Sequence, residues 1–486
     1  MNAPSLESAR KFAAAYQALQ DLPPLVGLGS FVEAVEPGLS VEESVSRLKR
    51  HHYALRRLHH IFIARLTSEP VYELKMAFSY HAHLCAEHVT ALRARVGEMR
   101  EPPLGLERVP HPALEVLFDE ILGAPTTAEL LVGLYEIALP AVARGMERHI
   151  EQTHVLADQP TRRLCRIALG ELEEMIDYGH KAIASLVTLE QRAKAATFLK
   201  VLVECLAAAG DADGTELQMG DAPPRFYSSK PFEFDRVPRR DARFADPYNM
   251  GVNAEVFLYD DSKPADAKVL MMFYKRLREI DVPEMMAGII AQTPDRPWGY
   301  YRDMTRQLWD EARHAMMGEV GFVSVGVDWP KKVMINHTWS LGLNTQLTPK
   351  ERHAVLYFIE QGLMPRTGKR HEWETAIAAH NPLSSTFQDF DWADEVLHAR
   401  VGRDWYVNQM PSAHEAVEYG DRCWSKVLMN WEAWREKGLT RHRNWWPETY
   451  QQYCDQNALE PDAASLAYNI TYAETRADLK KISASA

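Results

Sequence analysis

Two short runs carry the residues best suited to chemistry, DEARHA at 310–315 and DEVLHA at 394–399. Both have the form DExxHA, which sets Glu311 three residues before His314 and Glu395 three before His398. On a helix that spacing stacks the two side chains on one face about one turn apart, so a carboxylate and an imidazole can close on one metal ion. Oxygen and nitrogen donors without thiolate suit iron or manganese. The bare pairing is weak evidence. With 67 acidic residues and 19 histidines, chance produces it about two to three times in a chain of this length. The chain has four such pairs, the others being Glu151/His154 and Asp177/His180.

Context sets the two DExxHA runs apart. Each glutamate follows an aspartate, Asp310 or Asp394. Such a group can accept a hydrogen bond from the non-ligating nitrogen of a histidine and so orient the ring. Each pair also has a helical segment before it with a candidate carboxylate: Glu279 lies 32 residues before Glu311, and Glu360 lies 35 before Glu395. With a short turn near Pro294-Asp295-Arg296-Pro297, Glu279 and Glu311 are almost equally far from it and should meet at one level. One Glu from each of two helices, plus Glu-x-x-His from each of the other two, is the donor set of a two-iron carboxylate site inside a four-helix bundle. Glu284 competes with Glu279, because Leu277, Ile280, Ala287 and Ala291 give it a more apolar face. Its spacing of 27 to Glu311 is short, so Glu279 is preferred. Gly362, Pro365 and Gly368 predict that the third helix breaks just after Glu360.

The elements that must hold these residues are helices. Helical patterns lie near 266–292, near 299–319, after Thr348-Pro349, and from Ser384-Ser385 to about 409. Strand-like runs are few, the best being 255–259 and 322–327. The expected class is all-α, with a four-helix bundle at 263–410 preceded by a second helical domain at 1–205. Residues 206–262, rich in Gly, Pro and Asp, read as an extended interdomain connection. Residues 411–486 form a Trp-rich helical extension with Trp424, Trp431, Trp434, Trp445 and Trp446, which serve mainly as packing anchors. Within 1–205, helices are expected over 70–99 and 127–154 and from Asp158, a candidate N-cap with Pro160 in the first turn. His81, His83, Glu87 and His88 cluster on one of them without a matching set on a partner helix. The domain therefore reads as structural, a degenerate bundle.

The run PWGYYRDMTRQLWDEARHAMMGE, with DFDWADEVLHARVGRDW downstream, resembles the ferritin-like di-iron carboxylate superfamily. The likeness is closer to tRNA-hydroxylase-like members and ferritin-like oxidases than to storage ferritins, and it covers about 145 of the 486 residues. It implies two iron ions, with manganese as the other metal the donors accept, held by Glu279, Glu311, His314, Glu360, Glu395 and His398. It also implies a non-haem oxidase or monooxygenase that uses dioxygen on a small organic substrate. Glu311, His314, Glu360, Glu395 and His398 then carry the reaction, with electrons from a donor the sequence does not identify. The alternatives are an iron-binding ferritin-like protein and a non-catalytic helical scaffold. Trp309, Tyr301, Met316 and Met317 either line a pocket or pack the core.

Composition narrows the partners. Hydrophobic residues make up 46% and charged residues 25%, and the net charge is -12. This argues against nucleic acid or an anionic membrane as partner. The five cysteines are scattered and odd in number, as in reduced cytoplasmic proteins. No apolar run reaches the roughly 18 residues of a membrane span, and the N-terminus lacks the pattern of a secretory leader. A soluble cytoplasmic enzyme, compatible with a homodimer, is expected. The chain has no GxxxxGK[ST], GxSxG or GxGxxG run.

Overall fold

The computed structural model describes residues 5–100, 104–244, 251–333, 338–366, 368–428, 437 and 443–471. Every regular element among them is helical. The two strand-like runs are corrected accordingly. Ala254–Leu258 is a short helix whose first turn is capped by Asn253, with Oδ1 accepting from the Val256 N–H. Residues 322–324 are the end of a long helix, after which Gly326 turns the chain with φ +77°. Short apolar runs have too few residues for period 2 and period 3.6 to be told apart.

The chain forms two compact units, Met1–Ile61 with Leu84–Glu233, and Phe62–His83 with Phe234–Ala486. The segment expected as a connection at 206–262 is thus divided between them, and the 62–83 hairpin belongs with the second unit.

The first unit is built on α1 (Val41–Arg65) up to Ile61, α2 (Tyr72–Glu98) from Leu84 onward, α3 (Pro112–Leu122), α4 (Thr127–Val132), α5 (Leu139–Gln152), α6 (Gln159–Leu186) and α7 (Ala196–Ala209). Several of its buried polar groups pair with one another. Ser44 Oγ donates to Asp158 Oδ2 at 2.7 Å and lies 3.1 Å from His149 Nε2, while His149 Nδ1 is 3.3 Å from His51 Nε2. The other acid–histidine pairs have local roles. His154 Nδ1 accepts from the Leu156 and Ala157 amides in the turn after α5, and Asp177 pairs with exposed Lys181. His88 faces Glu171 at 2.7 Å.

In the second unit α8 (Ala265–Leu277) and α9 (Asp281–Ala291) follow one path, interrupted by a 3-10 turn at Arg278–Ile280. Pro283 explains the interruption, because its ring clashes with the carbonyl four residues back, that of Glu279. A turn with Asp295 at φ +60° leads to α10 (Trp298–Ser324). Then α11 (Thr338–Gln346) precedes α12 (Pro349–Leu363), which opens on a capping box between Thr348 and Glu351. After α12 come α13 (Lys369–Ala378), α14 (Pro382–Trp405), capped by Asn381, and α15 (Ala413–Leu428).

Four of these walls close on one another: α8 and α9 pack on α10, α10 on α14, α14 on α12, and α12 on α9. Glycines set the spacing of two seams. A Cβ at Gly318 of α10 would run into the Leu277 backbone, and one at Gly402 of α14 into the Tyr357 ring of α12. A core of Met271, Phe273, Tyr274 and Phe322 fills one side, with Trp445 and Trp446 fully buried in it. Trp431 and Trp434 lie outside the described residues. All five cysteines are buried and unpaired, and no helix among the described residues is long and apolar enough to cross a membrane.

Candidate metal centre

Each wall delivers a donor to the middle of the second unit. Glu279 comes from the 3-10 turn, Glu311 and His314 from α10, Glu360 from the last turn of α12, and Asp391, Glu395 and His398 from α14. All but Glu279 are buried, and the Glu279 side chain is 14% exposed. Two groups result. Donor atoms of Glu279, His314, Asp391 and Glu395 lie within 4.8 Å of one another, as do those of Glu311, Glu360, Glu395 and His398. Glu395 belongs to both. His314 Nδ1 is 3.4 Å from Glu279 Oε2 and from Asp391 Oδ1. His398 Nδ1 is 3.1 Å from Glu311 Oε1 and 3.4 Å from Glu395 Oε2.

The outer nitrogens of the two imidazoles are held crosswise. His314 Nε2 on α10 lies 3.1 Å from Asp394 Oδ2 on α14, and His398 Nε2 on α14 lies 3.4 Å from Asp310 Oδ2 on α10. Each aspartate therefore orients the histidine of the opposite helix. Arg306 Nε donates to both oxygens of Asp310 at 2.9 and 3.0 Å, and Arg313 bridges Asp310 and Asp394. With Nε2 so occupied, Nδ1 of each ring is turned inward.

Those inward atoms are what a metal ion would satisfy. His314 Nδ1, His398 Nδ1, Glu279 Oε2 and Glu395 Oε2 are buried and make no hydrogen bond. An unsatisfied buried polar group costs about 1–3 kcal/mol; here the four atoms face one another in two imidazole–carboxylate contacts of 3.4 Å, His314 Nδ1 with Glu279 Oε2 and His398 Nδ1 with Glu395 Oε2. The donor set of carboxylates and imidazoles fits a divalent transition metal. These buried clusters can hold a metal ion.

The electrostatics agree. Burial disfavours an imidazolium, yet the bond to Asp394 and the nearby Glu279 and Glu311 outweigh it and raise His314 to about 10. His398 is likewise driven well above its ordinary value, against burial, by Asp310, Glu311 and Glu395. The cluster thus attracts positive charge. Burial, reinforced by Glu395 and Glu311, pushes the Glu360 carboxyl well up, and Gln307 Nε2 donates to its Oε1 at 3.0 Å. Burial opposes ionisation of Glu395 and Glu279 too, but Lys369 holds the first well down, and Arg276 and Lys369 hold the second at about 2.

Several of these residues escaped the sequence reading. Asp391 sits four residues before Glu395 on the same face of α14, a spacing that could have revealed it. Lys369 Nζ is fully buried, 2.8 Å from both Asp391 Oδ2 and Glu395 Oε1. Arg276, also fully buried, pairs with Asp391 and lies 3.1 Å from Glu279 Oε1. No spacing rule connects these cations to the motif. Glu284 is elsewhere: it pairs with buried Lys75 and with Arg240, and Ser340 Oγ donates to it at 2.7 Å.

A pocket opens onto the cluster, with Glu279, Glu311, Glu360 and Glu395 on its floor. Its walls combine apolar side chains, Met285 of α9, Trp339 and Leu343 of α11, Leu356 and Ile359 of α12, and Trp424 of α15, with the charged Glu255, Lys275, Arg278 and Asp281. None of the four aromatic and methionine residues of α10 singled out in the sequence lines it. Trp309 packs on Tyr80 with ring centres 4.7 Å apart, and Tyr301 Oη donates to the Thr293 carbonyl.

Fold and site together define an all-helical protein with a buried carboxylate–histidine centre capable of holding metal. No protein-family model matches the chain, and neither a curated protein nor a solved structure matches it.

Proposed function

We propose that the four walls form a ferritin-like bundle and that the protein is a dioxygen-dependent, non-haem di-iron oxidase or monooxygenase. Its substrate is a small, largely apolar organic molecule. The observation that carries the reading is the convergence of unsatisfied ligand atoms, Nδ1 of His314 and His398 and Oε2 of Glu279 and Glu395, beside a pocket that the cluster's glutamates line. Glu279, His314, Asp391 and Glu395 would hold one ion, and Glu311, Glu360, Glu395 and His398 the other. A bound ferrous pair supplies the electrons and the open coordination positions for reducing dioxygen.

The chain supplies the rest. Asp394 and Asp310 fix the two imidazoles so that Nδ1 of each faces inward. Trp339, Leu343, Leu356 and Trp424 present an apolar surface to the substrate and keep bulk water from the floor.

Anaerobic loading with Fe(II), metal analysis, and exposure to oxygen test the reading. About two irons per chain and oxygen uptake that rises with apolar small molecules are expected. Absence of iron from the parent, with His314→Ala and His398→Ala behaving like it, would point to a scaffold instead. Iron uptake with no substrate-stimulated oxygen consumption would point to an iron-binding protein.

A further inference from the structure

The two halves of the centre differ in one respect that the donor set alone does not suggest. Around Glu311, Glu360 and His398 the near neighbours are other donors, Gln307 and Asp310, and among the described residues no lysine or arginine pairs with Glu311 or Glu360, although Lys369 reaches Oε1 of the shared Glu395. Around Glu279, His314 and Asp391 two cations are already in place. Lys369 Nζ lies 2.8 Å from Asp391 Oδ2, 2.9 Å from Asp391 Oδ1 and 2.8 Å from Glu395 Oε1. The Arg276 guanidinium takes Asp391 and Glu279. Both cations are fully buried.

Their origins differ as well. Arg276 lies inside α8, is pinned by Asp391 and Glu279, and has Glu372 3.7 Å away. Lys369 is the first residue of α13. Its four-carbon stem ends in a compact, rotatable charge, whereas Arg276 presents a rigid planar fork. Of the two, Lys369 is the one able to leave without moving a helix.

We propose that Lys369 is a built-in cation that makes the centre load in order. A divalent ion enters the Glu311/Glu360/Glu395/His398 half first. The Glu279/His314/Asp391/Glu395 half takes a second ion only when the ammonium is displaced from Asp391 and Glu395. The physical basis is direct: two positive charges cannot share the same two carboxylates at hydrogen-bond distance without strong repulsion. Until a second ion arrives, Lys369 stays paired with Asp391 and Glu395. The inference rests on the metal reading above and deepens it, since it concerns how the same centre fills.

The experiment is a titration of the metal-free full-length protein with Co(II), followed by visible absorption and by metal content after gel filtration. The parent is expected to bind one ion tightly and a second at least tenfold more weakly. Lys369→Met should bring the two affinities within threefold of each other, and its metal-free form should melt lower than the parent while gaining more on loading. Two further variants keep the test decisive if Lys369→Met folds poorly. His314→Ala should retain the tight ion, and His398→Ala only the weak one. Two ions of equal affinity in the parent, or equal losses in the two histidine variants, would overturn ordered loading while leaving a metal centre intact. No Co(II) bound by the parent would overturn the metal reading and this inference with it.

Discussion

The crossed arrangement of Asp310 and Asp394 leads to a prediction that adjacency in sequence would get wrong. Asp310 precedes Glu311 and sits four residues from His314, yet its carboxylate reaches His398; Asp394, four before His398, reaches His314. Replacing either by Asn keeps the shape and removes the charge that orients and polarises the ring. Loss of such a partner typically costs 10- to 100-fold in metal affinity, or about 1.4–2.8 kcal/mol. The shorter contact, 3.1 Å for Asp394 against 3.4 Å for Asp310, places Asp394→Asn toward the upper end. The assay is a double-mutant cycle, with dissociation constants from competition against a chromophoric chelator. Asp394→Asn should be strongly non-additive with His314→Ala and additive within about 0.5 kcal/mol with His398→Ala. Asp310→Asn should couple to His398→Ala instead. Coupling that follows sequence neighbours rather than the crossed pairs would refute the proposed orientation of the rings.

Glu284→Ala should leave metal stoichiometry unchanged, since that residue serves Lys75 and Arg240, but should cost about 3–5 kcal/mol in a denaturant melt by stranding buried cations; loss of an ion would contradict this. Gly318→Ala should destabilise the second unit by roughly 1–3 kcal/mol through its clash with the Leu277 backbone. Gly362→Ala, with open space around it on α12, should be neutral or stabilising by up to about 1 kcal/mol, and similar melts for the two variants would argue against a tight seam. In the first unit burial holds His51, His52 and His59 down at about 3 and His60 and His149 at about 4, against 6.5 unfolded. The unfolded chain then binds more protons, so stability falls as pH drops below 6.5 and the slope ends only near those lower values; at pH 5 each group costs about 2 kcal/mol. A urea midpoint for this unit that stays constant from pH 7 to pH 5 would exclude that sign.

The helices were legible because their signals are local. Thr348-Pro349 with Glu351 marks the start of α12, Gly362 and Pro365 its end, and the equal distances of Glu279 and Glu311 from the turn at Asp295 place them at one level. The doubled Glu-x-x-His needs only 3.6 residues per turn to be read as a shared face. Glu279 against Glu284 was harder, because both sit beside apolar residues; burial satisfied by Lys75 and Arg240 separates Glu284 from the cluster, and those partners lie 209 and 44 residues away. The crossing of the aspartates, and the arrival of Lys369 and Arg276 beside Asp391, depend on where whole helices sit. Asp391 was within reach of pattern reading, as it shares a stripe with Glu395 and His398. The misread runs at 255–259 and 322–327 failed for want of length, since five or six residues cannot fix a period.

The glycine seams at Gly318 and Gly402 have a consequence for how the centre meets its ligands. Backbone against side chain, with no slack between, makes α8–α10 and α12–α14 fixed dimensions rather than adjustable ones. The cage is therefore sized before anything enters it, and occupancy should register in side-chain torsions and not in helix positions. Backbone amide exchange along α10 and α14 would then read nearly the same for empty and filled protein, apart from the slowing that greater global stability brings to both.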